Sequence, residues 1–530
     1  MANSGKFYLT TPIYYVNAAP HIGSAYPTIA ADVLARWHRA QGDDTFFLTG
    51  TDEHGAKIAA AAAEAGKAPQ AFADEISQQF ASCWSALNIK PDDFIRTTAA
   101  RHKEAVGLFL RKLKDSGQLY EGEYEGLYCV GHEAFIKEAD VVNGRCPDHQ
   151  TKPELLKEKN WFFKLSAYGE EIQKKIESGE FIIAPASRRN EVLAFIERGL
   201  EDIAISRPNV KWGIPLPWDK NQTVYVWVEA LFNYCSAIGY SQSFSPPARG
   251  GDQEGVGAIS EKGFDYWWPA DLHLVGKDII KFHCVIWPAL LLAVDLPLPK
   301  KVFAHGFFTI NGQKISKSLG NAIDPVTLAE EYGADALRYF ILRDIPFGAD
   351  GDFSHQRLLD RYNADLANGL GNLVSRALNM MEQYGISPPD FAKASSGKPA
   401  PEGATPAVAS GESRVGAVVD THLKNLAFDK ALEAIWQEIA QADELIEQKK
   451  PWELAKLSPP ARGGDPAESG RGGGREELEG VLVGLYNSLC TVNTALAPFM
   501  PEAHAKLTDL LSARPLKKPA EPLFARKLKA

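Results

Sequence analysis

The stretch from Tyr8 to Lys57 constrains the fold more than any other part of the chain. A β-rich run, Phe7 to Tyr15, breaks at Asn17-Ala18-Ala19-Pro20, and a segment of helical period then runs from His21-Ile22-Gly23-Ser24 to about Gln41. A second β-like run, Thr45 to Thr49, ends in the polar cluster Gly50-Thr51-Asp52-Glu53-His54-Gly55. Strand, helix and strand in that order make a βαβ unit of an open parallel sheet, where ligands gather beyond the carboxyl ends of the strands. Both polar clusters fall at that edge. His21 and Gly23 stand where a helix begins, so backbone N–H groups and the helix dipole face a phosphate, and glycine lets a nucleotide come close.

Composition narrows the class. A chain of 530 residues has room for about two to four domains and a large core, and its 45% apolar and 23% charged content is that of a globular protein. The net charge of -10 argues against a uniformly basic nucleic-acid coat. A local basic path is still open, because phosphate contacts depend on where lysines and arginines sit. Met1 to Lys6 is polar and no apolar core with a cleavage site follows, so no secretory signal is expected. The longest apolar stretch, Cys284 to Pro297, contains prolines and an aspartate and is too short to cross a bilayer. Six cysteines in so long a chain do not make a disulfide framework, and the expected compartment is a reducing cytoplasm.

From Ala59 to Leu87 the chain is alanine-rich and helix-forming, with Phe72, Ile76, Phe80 and Trp84 four residues apart as a core stripe. Another amphipathic helix spans Arg101 to Leu119 and ends at Gly117. Composition then shifts. Cys129 and His132 form one pair and Cys146 and His149 a second, with 13 residues between the pairs. Two thiolates and two imidazoles at that spacing fit a tetrahedral zinc knuckle, structural because the protein fills all four positions. The alternative is a surface loop that happens to carry these residues. Asn160 to Leu165 reads as a buried strand, and helical stretches follow to Glu201.

Farther on, Thr223 to Tyr234 passes from strand to helix and places Trp227, Ala230, Leu231 and Tyr234 near one turn. In Asp271 to Pro288 a strand ends at Val275, Gly276-Lys277-Asp278 turns, and a helix carries Ile279 and His283 at i, i+4. After the strand-like Val302 to Ile310, a glycine-bounded loop presents Lys314 and Lys317, with Ser316 between them. From about Asp352 the chain reads as all-helical; Asn372 and Arg376 share a helix face, and Trp452 follows another amphipathic helix.

Taken together, His21-Ile22-Gly23-Ser24, Gly50 to Lys57, Gly276 to His283 and Lys314-Ile315-Ser316-Lys317-Ser318 resemble the signatures of class I aminoacyl-tRNA synthetases, in the version of the methionyl enzymes. The family's first motif ends in histidine where Ser24 stands, and Ile315 replaces a methionine of the second. The resemblance implies an α/β fold: a Rossmann-like parallel-sheet catalytic domain in two halves, 1–117 and 223–351. Between the halves lies a connective domain with the zinc knuckle, 118–222, and an all-α anticodon-binding bundle follows, 352–530. It implies ATP-dependent activation of L-methionine and transfer to elongator and initiator tRNA(Met).

The roles of the residues follow from the same likeness. His21, Lys314 and Lys317 would be catalytic, and with Gly23, Ser24, Gly276, Asp278 and Ser316 they would hold ATP, which Mg2+ would accompany. Ile13, Tyr15, Asp52, Trp227, Ala230, Leu231, Tyr234, Ile279 and His283 would line the methionine site. Asp52 would meet the ammonium, and an aromatic and aliphatic wall would suit the flexible thioether. Asn372, Arg376 and Trp452 would read splayed anticodon bases by stacking and hydrogen bonds. Zn2+ would sit on Cys129, His132, Cys146 and His149, where relatives commonly have cysteine in place of His132.

Other classes share parts of this pattern. Isoleucyl, valyl and leucyl relatives carry large editing domains that do not fit here. A small-molecule nucleotidylyltransferase would lack the long helical region, and a non-catalytic scaffold would not need His21, Lys314 and Lys317. The octapeptide Ser245 to Asp252 recurs as Ser458 to Asp465, and both copies, like Pro388 to Ser413, read as surface insertions. With a basic tail and no appended tRNA-binding barrel, a monomer is expected.

Overall fold

A computed structural model describes residues 5–129, 134–136, 138, 141–147, 150–208, 210–241, 262–310, 312–315, 322–386, 414–457 and 472–528. Two compact units divide the chain: residues 1–85 with 89–307, and 86–88 with 308–530.

The first unit is built on a parallel sheet whose six described strands run in the order Asp93–Arg96, Asp44–Asp52, Lys6–Tyr15, Leu272–Gly276, Lys301–His305, Ile182–Ala184. The strand order reverses between Lys6–Tyr15 and Leu272–Gly276, which makes the cleft at their carboxyl ends the switch point of the sheet. Helices at Ile22–Ala40, Ala56–Glu64 and Pro69–Ala86 supply the crossovers on the early side, and Ala100–Asp115 leads from the edge strand Asp93–Arg96 towards the insertion. Tyr8, Leu48, Ile95, Phe109, Val275 and Val302, all buried, belong to the core. Gly50 lies on Ile95 so closely that a Cβ would stand 2.0 Å from its carbonyl oxygen, and only glycine fits.

Between the two halves of this sheet, an antiparallel sheet joins Ala134–Ile136, Leu119–Cys129, Glu154–Phe163 and Ile203–Ala204. Lys114 is held over the rings of Trp161, at 4.8 Å, and Trp218, at 4.7 Å, so a cation of the helix Ala100–Asp115 braces the insertion.

The second unit opens with a small sheet of Gln313–Lys314, Phe308–Ile310 and Gly351–Asp352 and continues in helices. Its hub is the helix Ala334–Arg343. There the fully buried Arg338 donates to the carbonyls of Phe499 at 2.8 Å, Pro498 at 3.0 Å and Leu87 at 3.2 Å. A buried guanidinium is tolerable because each of its three nitrogens donates to a peptide oxygen.

Three local readings of the sequence change. Ala59 to Leu87 is two helices, Ala56–Glu64 and Pro69–Ala86, because Gly66 at φ 66° takes the left-handed conformation between them. The strand expected from Asn160 begins at Glu154, since ten residues pair with Leu119–Tyr128. The helix after Gly276 is a 3-10 turn, Lys277–Ile279, followed by a π-helical turn, Phe282–Ile286, a wider winding that recurs at functional sites.

Candidate active site

His21 is the N-cap of the helix Ile22–Ala40, and its Nδ1 accepts the Gly23 amide at 3.1 Å. An amide can only donate, so the ring proton sits on Nε2 and the imidazole presents an N–H. Ser24 closes a capping box: its Oγ accepts the His21 amide at 3.0 Å and donates to the His21 carbonyl at 2.7 Å. The hydroxyl that replaces a second histidine therefore shapes the helix entry. A Cβ at Gly23 would stand 2.9 Å from His21 Cε1, so glycine is what lets the imidazole fold back over the helix end.

On the early side of the switch point, Ile13 pairs in register with Gly50 and Tyr15 with Asp52, at the carboxyl ends of neighbouring strands. The register shifts between Thr10 and Ile13, which brings these three side chains, half-buried, to the sheet edge. Trp227, Ala230 and Leu231 lie on the short helix Val226–Leu231, and Tyr234 follows on Asn233–Ser236.

Tyr234 and His283 form the buried floor of this side. His283 Nδ1 lies 3.0 Å from the Ile279 carbonyl and its Nε2 lies 2.8 Å from the Tyr234 hydroxyl. The carbonyl requires Nδ1–H, so Nε2 accepts from Tyr234 and the imidazole is neutral. Burial pushes its pKa down to about 4, against the pull of the Ile279 carbonyl and Asp278. The Tyr234 carbonyl in turn accepts from Tyr8 at 2.7 Å, and Trp227 stacks on Phe282 with centroids 3.8 Å apart. An uncharged wall of rings with no net charge to solvate is a surface on which a thioether can lie.

Gly276 ends its strand with Asp278 two residues on, exposed; a Cβ at Gly276 would stand 2.6 Å from Asp278 Oδ1. Ile279 is half-buried and packs against the core. Lys314 enters the second unit on a two-residue strand paired with Thr309, and Asp352 Oδ1 braces that hairpin from the Gly312 amide at 2.9 Å and the Thr309 hydroxyl at 2.7 Å. The Lys314 side chain, Ser316 and Lys317 lie outside the described residues, as do both octapeptide copies, Pro388 to Ser413, His132 and His149. Cys129 and Cys146 are both fully buried, and Cys129 Sγ lies 3.6 Å from the Thr151 hydroxyl. Among the described residues no three His, Cys, Asp or Glu side chains gather as a metal set, and two of the four expected ligands are not among them. Asn372 is exposed at the start of the helix Asn372–Tyr384, and Arg376, one turn on, meets Glu447 at 2.6 Å and Asp443 at 3.5 Å. Trp452, half-buried, stands in the first turn of Pro451–Lys456, after Lys450 in the left-handed conformation.

Two residues of the Gly50-to-Gly55 cluster that sequence reasoning passed over are pinned. Glu53 accepts from Arg96 through both guanidinium arms, at 2.7 and 3.0 Å, and from Thr51 at 2.7 Å. His54 meets Glu229. Apolar strand residues beside two polar ones were the available signal, but nothing local says which partner each would take.

A family model of class I tRNA synthetases (M) matches residues 7–153 and 139–378, and so covers both halves of the sheet and the site. The chain belongs to this family. Among its relatives, the class I synthetases named methionine–tRNA ligase from Caldanaerobacter subterraneus and Thermotoga maritima are each 43% identical, covering 95% and 94% of this chain and 74% of their own length. The solved methionyl-tRNA synthetase of Mycobacterium tuberculosis, in complex with methionyl-adenylate, is 36% identical with a TM-score of 0.82 over 98% of this chain and 100% of that one. The parallel sheet and helical second unit are thus the class I synthetase fold. Among the described residues no helix is long and apolar enough to cross a membrane.

Proposed function

We infer that this class I synthetase activates L-methionine with ATP and transfers the methionyl group to tRNA(Met), elongator and initiator alike. The observation that carries the reading is the neutral Tyr234–His283 pair, whose histidine follows the strand Leu272–Gly276, together with the helix entry at His21, which follows Lys6–Tyr15, the two strands between which the sheet order reverses. Methionyl enzymes of the same family, similar along nearly the whole chain, support it.

In the first step the methionine carboxylate attacks the α-phosphate in line, and pyrophosphate leaves. In the second, a terminal ribose hydroxyl of the tRNA attacks the adenylate carbonyl, and AMP leaves. His21 Nε2–H and the first amides of the helix would hold the phosphates, while Gly23 gives them room. Asp52 would hold the ammonium, Ile13 and Tyr15 the backbone of the amino acid, and Trp227, Ala230, Leu231, Tyr234, Ile279 and His283 the side chain. Asp278 would accept ribose hydroxyls, with Gly276 beside it. Lys314, Ser316 and Lys317 would meet charge as it grows on the leaving pyrophosphate. Mg2+ would accompany the ATP and would supply part of the charge that offsets the phosphates.

In this reading 1–117 and 223–351 act as the nucleotide-binding halves, 118–222 as the connective insertion and 352–530 as the bundle whose Asn372, Arg376 and Trp452 face the anticodon. Two buried thiols, Cys129 and Cys146, suit a soft cation, and with His132 and His149 they would hold one structural Zn2+. We place the protein in the cytoplasm as a monomer. Aminoacylation tests the whole: purified protein, ATP, Mg2+ and labelled methionine should charge tRNA(Met) of both kinds, and no charging of either would overturn the reading.

A further inference from the structure

Behind the methionine side of the site lies a cluster that none of the roles above uses. Glu229 is 1% exposed, and its two oxygens are taken by His54 Nδ1 at 2.8 Å and His102 Nε2 at 3.2 Å. His102 Nδ1 lies 2.8 Å from the Ser236 hydroxyl, which is 3.1 Å from the Asn233 carbonyl. His54, His102 and Ser236 are themselves at most 2% exposed. Burial pushes the Glu229 carboxyl up, but the two imidazoles outweigh it and bring the pKa to about 2. His102 moves the other way, lowered by burial against the pull of Glu229.

Each member stands on a different element. His54 comes two residues after Asp52, at the end of the strand Asp44–Asp52. Glu229 lies on the helix that carries Trp227, Ala230 and Leu231, and His102 on Ala100–Asp115. His54 also packs edge-on to Trp212, whose indole N–H donates to the Glu53 carbonyl at 2.6 Å. A dry carboxylate is an expensive way to hold elements together, since apolar residues of equal volume are commonly as stabilising. What a hydrogen-bonded carboxylate adds is a fixed distance and direction.

We propose that Glu229, clamped by His54 and His102, is a positioning residue that sets the span between the ammonium end and the thioether end of the methionine pocket. This rests on the functional reading above. Glu229 touches no part of the substrate in that reading; it acts through Asp52, two residues from its His54 partner, and through Trp227, on its own helix.

The test is steady-state ATP–pyrophosphate exchange with methionine and ATP varied separately, on the full-length chain. Glu229→Gln keeps the length but forces one imidazole to face an amide N–H; His102→Ala removes one clamp and leaves the charge. Both should raise the methionine KM by at least ~10-fold while the ATP KM stays within about twofold. His102→Gln, whose amide nitrogen reaches where Nε2–H stood, should restore the methionine KM. An unchanged methionine KM in His102→Ala, or equal rises in both KM values, overturns the proposal, because a general structural role would not separate the two substrates. Should Glu229→Gln fail to fold, the two His102 variants decide alone. Absence of methionine-dependent exchange in the unaltered protein would instead refute the functional reading itself.

Discussion

The buried His283 makes the stability of the first unit depend on pH in a way that can be isolated. An ordinary histidine titrates near 6.5, and burial holds this one to about 4. Between those values the unfolded chain binds a proton that the folded chain does not. Stability is therefore complete above pH 6.5 and falls as the pH drops toward 4. Each pH unit in that window is worth about 1.4 kcal/mol, so going from pH 7 to pH 5 should cost about 2 kcal/mol through this residue. The His283→Gln variant cannot titrate there, and His273, present in both proteins, is held well below its ordinary value chiefly by burial and only secondarily by His283, so most of its contribution is common to the two. Urea unfolding at pH 7 and pH 5 should show the unaltered protein losing about 2 kcal/mol more than the variant. Tyr234→Phe complements this at pH 7: it strands the Nε2 lone pair in a dry site and should cost ~1–3 kcal/mol. Equal acid sensitivity in the unaltered protein and His283→Gln would refute the neutral, doubly held imidazole.

Further expectations concern other parts of the molecule. Gly23→Ala puts a methyl group 2.9 Å from His21 Cε1 and should displace the capping ring, raising the ATP KM by ~10-fold, about one hydrogen bond, with the methionine KM unchanged in exchange kinetics. Trp452→Ala should weaken tRNA charging while sparing ATP–pyrophosphate exchange; equal loss in both assays would make Trp452 a folding residue. Metal analysis of purified protein should find one zinc per chain, and a Cys146→Ala variant should lose it.

Much of the strand and helix frame around His21 was legible beforehand, because its signals are local. A β-run, a break at Pro20 and a helix starting at His21 appear in the structure as Lys6–Tyr15 and Ile22–Ala40. The i, i+4 relation of Ile279 and His283 was legible too, and the structure turns it into a hydrogen bond from Nδ1 to the Ile279 carbonyl. What could not be read is what depends on distant partners. Glu53 and His54 sit beside Asp52 in one short cluster, yet Arg96 takes the first and Glu229, 175 residues away, takes the second. Ser24 was legible as a hydroxyl where the family motif has an imidazole, and only the helix entry reveals it as the second half of a capping box. The helix-forming stretch from Ala59 was legible as such, but not its division in two: alanine-rich propensity runs through Gly66 in the sequence, and a left-handed glycine ends a helix.

The most direct measurement is amino-acid-dependent ATP–pyrophosphate exchange with each of the twenty amino acids in turn. Methionine alone should drive rapid exchange. Exchange driven by isoleucine, valine or leucine, or by none of the twenty, would contradict the account of this pocket.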